Sequence, residues 1–184
     1  KQTALRKEKR MLPFFIRILL GMHSTSLKHM KLNINKYLTP CKILDVGSVN
    51  VRKKGCYRDI LPAGYDYVGI DLVAGPNVDI VMEDPYVFPL ASESFDAVIT
   101  GQCFEHVKNP FKLIEECSRV LRSKGHFLGV APSKWPIHRY PVDCWRFLPD
   151  GWESLFEHVG LSKIETYLYG EEPGHEDCWG IAIK

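Results

Sequence analysis

Acidic residues close successive β-branched runs in this sequence, and the first is followed at once by a glycine: Lys42-Ile43-Leu44-Asp45-Val46-Gly47, then Tyr67-Val68-Gly69-Ile70-Asp71, then Asp84 beyond Val78–Met82. In an open α/β sheet the ligand crevice lies outside the carboxyl ends of the strands, so these are the positions where chemistry is expected. Gly47 would let backbone amides approach a ligand closely. Asp45 could orient that turn or receive an ammonium group. Asp71 stands where an acidic side chain of a nucleotide-binding sheet accepts ribose hydroxyls. Asp84 suits the amino group of an adenine. Each carboxylate has a plainer reading as a turn cap, but their ordered recurrence after successive strands favours a single adenosyl-binding crevice.

A second group of residues suits a reacting partner. His106 follows the fourth β-branched run and His138 lies in the loop after the fifth, and a neutral imidazole there could take the proton of an attacking hydroxyl. Such general-base help is worth roughly two to four powers of ten in rate. Trp135, Tyr140 and Trp145 offer aromatic faces to sugar C–H surfaces or flat rings, and Arg146 offers forked donors to an acid or phosphate. With Asp143 they form the expected acceptor-binding set. Structural readings stay open beside these: His106 as a buttress of the next helix, Trp145 and Phe147 as core beneath a lid, Arg146 and Asp143 as a pair with each other. Glu105 with His106, or His138 with Asp143, could hold a divalent ion. Their spacing matches no strong metal motif, so no metal is expected. His23, His29, His126, His158 and His175 have no partner at ligand spacing and read as structural or exposed.

The elements that must position these groups alternate in type. Strands are expected over Lys42–Val46, Tyr67–Asp71, Val78–Met82, Phe95–Thr100 and His126–Ala131, with two more near Ser162–Leu168 and Cys178–Ile183. Asn109-Pro110 opens a helix whose apolar residues Phe111, Ile114, Cys117, Val120 and Leu121 recur at helical spacing, with Gly125 suited to the turn beyond it. A second helix is expected over Pro149–Val159, and the aperiodic stretch Ser133–Leu148 reads as a functional loop. This alternation predicts an α/β fold, a Rossmann-like, mostly parallel sheet with helices on both faces. Residues 41–184 form the expected domain, and 1–40 an amphipathic helical segment that packs on it or lies over its site.

Composition narrows the class. With 184 residues, 45% hydrophobic and 25% charged, the chain suits one soluble globular domain. A net charge of +2 implies no polyanionic partner, so no nucleic acid is expected, and Arg52-Lys53-Lys54 reads as a solvated turn. Six cysteines spread singly, without a CxxC pair, suit a reducing cytoplasmic setting better than a disulfide frame. The apolar stretch Met11–Met22 is interrupted by Pro13 and Arg17 and is too short to span a bilayer, which leaves contact with a membrane surface as the minor alternative.

The segments Ile43-Leu44-Asp45-Val46-Gly47-Ser48, Tyr67-Val68-Gly69-Ile70-Asp71-Leu72, Ser94-Phe95-Asp96-Ala97-Val98, Phe104-Glu105-His106-Val107 and Arg119-Val120-Leu121-Arg122-Ser123-Lys124-Gly125 resemble the successive motifs of the type-11-like methyltransferases of class I. The resemblance covers roughly residues 41 to 132. It implies a seven-stranded sheet with the last strand antiparallel, S-adenosylmethionine as methyl donor with S-adenosylhomocysteine as product, and contacts at Gly47, Asp71, Asp84 and around Gln102. The expected cofactor set is Asp45, Gly47, Ser48, Asp71, Leu72, Asp84, Pro85 and Gln102. The stretch from Trp135 to Phe147 further resembles a branch associated with bacterial surface-polysaccharide genes, which implies a hydroxyl of a sugar, glycan or small metabolite as acceptor. Two departures stand out. Ser48-Val49-Asn50-Val51 replaces the family's further glycines, and Pro85 has no N–H for adenine, so that contact falls to Tyr86, to water or to nothing. The rivals are a domain that kept the fold without the chemistry, and a nicotinamide-dependent oxidoreductase, against which the missing GxGxxG argues.

Overall fold

The structure is a computed structural model that describes residues 25–50 and 55–184. Met11–Met22, His23 and the basic cluster Arg52–Lys54 lie outside the described residues. Seven strands, β1 (Lys42–Val46), β2 (Asp66–Asp71), β3 (Ile80–Val81), β4 (Phe95–Gly101), β5 (Leu121–Lys134), β6 (Ser162–Glu172) and β7 (His175–Ile183), form one sheet in the order β3-β2-β1-β4-β5-β7-β6. β1 to β5 pair in parallel, and β7 runs antiparallel to both β5 and β6. The strand order reverses between β1 and β4, which is where such a sheet opens a crevice.

Strand periodicity sorts the core into two layers. Ile43, Ala97, Ile99, Leu128 and Val130 face one side, where Met30 and Ile34 of helix α1 (25–37) cover them. Leu44, Val98, Phe127 and Ala131 face the other, against α3 (Pro110–Val120) through Leu113, Ile114 and Cys117, and against α4 (Pro149–Val159) through Trp152, Leu155 and Phe156. Both faces are therefore covered, as a parallel sheet of apolar strands requires. A short helix α2 (Tyr57–Ile60), absent from the sequence reading, joins the α1 side through Tyr57 and Ile60.

Local signals act as expected at α3, where the Asn109 side chain accepts from the Lys112 amide at 3.2 Å and Pro110 takes the first turn. The turn after it differs. Lys124, not Gly125, carries the left-handed backbone, at φ 64°, and Gly125 is small because a Cβ there would stand 2.8 Å from the Arg122 carbonyl. β3 is shorter than Val78–Met82, because Asp79 turns to accept from the Gly69 amide at 2.8 Å and to pair with Arg58.

Candidate active site

At the carboxyl ends of β1 and β4 lies a cleft of about 470 Å³, its mouth included, bordered by Asp45, Gly47, Ser48, Tyr57, Asn77 and Gln102, with Leu27 of α1 on its rim. Gly47 is required twice over: its φ of +78° favours glycine, and an added Cβ would stand 2.7 Å from the Cys103 sulfur. Its amide and that of Ser48 both donate to the Ile70 carbonyl, at 3.0 and 3.1 Å, so β2 holds the turn. Gln102 also has a left-handed backbone, at φ 57°, where β4 breaks off into the site.

The polar atoms of this cleft are only partly satisfied. Asn77 Nδ2 donates to the Tyr67 hydroxyl at 2.7 Å and to the Ser48 carbonyl at 2.9 Å, and Tyr67 in turn donates to Asp45 Oδ2. The other Asp45 oxygen, the Ser48 hydroxyl and Gln102 Oε1 are buried without a hydrogen-bond partner. Burial, partly opposed by the Tyr67 hydrogen bond, pushes the Asp45 carboxyl up to about 7. Three such polar atoms around a glycine turn are costly in a folded protein unless water or a ligand pairs with them. An ammonium and hydroxyls would meet that need. Gln102 Nε2 is committed to Asp177 at 3.0 Å, and Asp177 accepts from Ser26 of α1 at 3.0 Å, so α1 is tied to the end of β4. Tyr57 and Asn77 were not foreseen, since neither belongs to a motif; the Tyr57 hydroxyl occupies the space that a side chain at position 101 would fill.

Asp71, Leu72, Asp84 and Pro85 are not among the residues bordering this cleft. Asp71 stands next to it: one oxygen accepts from Val49 in the turn at 3.0 Å, the other from Leu72 at 2.7 Å and Val73 at 3.3 Å. The carboxylate thus organises the turn in this state. Leu72 is exposed beyond it. Asp84 accepts from the Tyr86 amide at 2.7 Å, so the amide expected to replace the one missing at Pro85 is bonded to its own neighbour.

His106 and His138 stand beside Glu105, whose side chain is fully buried and whose two oxygens lack hydrogen-bond partners. His106 Nε2 lies 3.5 Å and His138 Nε2 3.8 Å from Glu105 Oε1, and the two rings meet edge to face at 5.0 Å. The nearby Glu105 carboxylate, with Pro136 and Asp143, holds His138 above the ordinary imidazole value against the opposing effect of burial. The loop reaches this place because Cys144 and Trp145 donate their amides to the Glu105 carbonyl, at 2.7 and 3.3 Å, and Trp145 Nε1 donates to the Val107 carbonyl at 2.8 Å.

Arg146 departs from its expected role. Its guanidinium is spent on Asp143 (2.5 and 2.8 Å) and on the carbonyls of Trp135, Pro136 and Trp145, so its donors and the Asp143 carboxylate hold the loop together. Trp135 packs on His175 with ring centroids 4.0 Å apart. Tyr140 and Trp145 remain 62% and 43% exposed and present aromatic surface outward, whereas Phe147 is buried against Phe104 and Trp152.

Comparison with known proteins agrees with this fold. Residues 44–129 match the family model described as a methyltransferase domain. Two Mycobacterium tuberculosis proteins described as probable S-adenosylmethionine-dependent methyltransferases are 28% identical over 79 residues, 42% of this chain. The match spans only 29% of the length of these curated relatives. The Burkholderia thailandensis 1,6-didemethyltoxoflavin-N1-methyltransferase, solved with 1,6-didemethyltoxoflavin and S-adenosylhomocysteine, superposes with a TM-score of 0.71 at 14% identity, over 100% of this chain and 88% of that one. A SAM-dependent methyltransferase from Archaeoglobus fulgidus gives 0.70 at 14% identity, over 93% and 98%. The sheet thus has the Rossmann-like fold of these solved methyltransferases, and residues 44–129 are similar to the methyltransferase-domain family model.

Proposed function

We propose that this protein moves a methyl group from S-adenosylmethionine to a hydroxyl of a sugar, glycan or other small metabolite. The observation that carries the reading is the set of orphaned buried acceptors, Asp45 Oδ1, Ser48 Oγ and Gln102 Oε1, around the left-handed turn at Gly47. Asp45 is assigned to the ammonium of the cofactor's amino-acid tail and Asp71 to the ribose, by exchanging its bond to Val49 for one to a hydroxyl, which frees the Val49 amide for the tail's carboxylate. Asp84 and the Pro85 region are assigned to the adenine edge. When bound, the cofactor would supply a methyl carbon on a sulfonium, whose sulfur is the leaving group for an attacking acceptor oxygen. Either His106 or His138 takes up the one hydroxyl proton on an unprotonated Nε2, with Glu105 stabilising the imidazolium that results. Tyr140, Trp145 and Trp135 pack on the acceptor, and the Arg146–Asp143 pair fixes the loop that presents them. A small-molecule acceptor is supported by the Burkholderia structure, which holds one with S-adenosylhomocysteine. The sugar or glycan rests on the resemblance of the segment from Trp135 to Phe147.

Calorimetric titration tests the reading. S-adenosylhomocysteine is expected to bind and a nicotinamide dinucleotide not to, with Asp71→Ala weakening the former about tenfold or more through lost hydrogen bonds to a charged group. No heat with S-adenosylhomocysteine at millimolar concentration would overturn it. Transfer of labelled methyl to hydroxyl-bearing acceptors tests the second half.

A further inference from the structure

We infer that Glu105, His106 and His138 form a binding site for a divalent transition-metal cation of the zinc and cobalt type. One ligand atom from each lies within 4.8 Å of those of the other two. The proton positions carry the argument. His106 Nδ1 lies 2.6 Å from the Val142 carbonyl, which can only accept, so Nδ1 bears the proton and Nε2 the lone pair. His138 Nδ1 lies 3.1 Å from the Pro136 carbonyl and 3.4 Å from an Asp143 oxygen, again two acceptors, which leaves the lone pair of that ring on Nε2 as well. Both lone pairs stand near the Glu105 carboxylate, at 3.5 and 3.8 Å, and both oxygens of that buried carboxylate lack a donor. With both rings neutral, three electron-rich groups thus converge with no hydrogen between them.

Either an added proton or a cation can occupy such a point. The two separations are longer than the 2.7–3.2 Å of an N–H···O hydrogen bond, so a proton on either ring satisfies the carboxylate poorly. They lie near the roughly 3.4 Å between neighbouring ligand atoms that tetrahedral coordination gives with metal–ligand bonds of about 2.1 Å. Two imidazoles and one carboxylate form a donor set for borderline cations, whereas magnesium and calcium prefer oxygen alone. The outer partners are those a metal-bound histidine needs: a carbonyl on each Nδ1, and for His138 also Asp143, itself held by Arg146 at 2.5 Å. Three protein ligands leave coordination positions for an oxygen of the acceptor, which would acidify its hydroxyl without a side-chain base. The inference rests on the reading of this cluster as the acceptor side of the site, and changes what occupies its centre from a proton to a cation.

The test uses the full chain, stripped with chelator and titrated with cobalt(II) followed by absorbance, and with zinc(II) by calorimetry. One equivalent is expected to bind with the visible bands of a low-coordinate cobalt site. Glu105→Gln and His138→Ala should each weaken binding at least about tenfold, while His158→Ala, at an exposed histidine outside the cluster, leaves it unchanged. Circular dichroism and S-adenosylhomocysteine affinity show whether each variant is folded, and if Glu105→Gln is not, His138→Ala decides. Absence of binding, or binding indifferent to both variants, would overturn the inference. If cobalt fails to bind while His138→Ala abolishes methyl transfer with cofactor affinity intact, the metal falls and the proton-acceptor reading stands. Failure of S-adenosylhomocysteine to bind the parent chain would instead strike the proposed function.

Discussion

A single carboxyl in the cleft sets the pH behaviour expected of the cofactor site. Burial holds Asp45 up at about 7, against an unfolded value of about 3.9. Between those values the folded chain keeps a proton that the unfolded chain has released, so this group's contribution to stability falls as the pH rises from about 4 to about 7. Ligand binding runs the other way, because only the ionised carboxylate attracts an ammonium. S-adenosylhomocysteine is therefore expected to bind about tenfold more tightly at pH 7 than at pH 5.5, a window below the titration of the ammonium itself. Calorimetry across that range checks this, and Asp45→Asn should flatten the profile. A parent profile already flat would remove Asp45 from the tail contact.

The loop from Trp135 to Leu148 behaves as one element because it is pinned at both ends and in the middle. Phe147 donates its amide to the Pro132 carbonyl at 2.9 Å, Cys144 and Trp145 reach Glu105, and Arg146 clamps Asp143, whose side chain is only 2% exposed. That clamp holds the Asp143 carboxyl well below the usual carboxylate range. Its stabilising contribution is therefore present above pH 4 and is lost as the pH falls through the lowered value. Arg146→Ala leaves a buried charge without its forked partner and is expected to cost about 1–3 kcal/mol in a denaturant titration. In steady-state kinetics the same variant should raise the acceptor KM while leaving S-adenosylhomocysteine affinity unchanged, since the clamp touches the loop and not the Gly47 turn. An equal loss of cofactor affinity would mean that the loop supports both halves of the site.

Over the whole molecule, what could be read from the sequence was what neighbouring residues decide. β1 and α4 have the expected bounds, and α3 begins at its Asn109 cap, because strand alternation, helical spacing and capping are local. The turn at Gly47 was legible for the same reason. The Tyr57 and Asn77 contributions to the cleft, and the meeting of His138 with Glu105 and His106, were not, because they arise only when the sheet and the returning loop bring distant segments together. The coupling of α1 to the site is also of this kind. Leu27 sits on the cleft rim, Ser26 donates to Asp177, Gln102 donates to the same carboxylate, and Met30 and Ile34 anchor the helix on β1, β4 and β5. A ligand held by the Gly47 turn and Gln102 should therefore stabilise α1 as well as the turn. Hydrogen exchange with and without S-adenosylhomocysteine is expected to slow in α1 and around Gly47, and to change little in α4, which packs on the opposite face of the sheet. Protection confined to the turn would show that α1 covers the sheet without sensing the ligand.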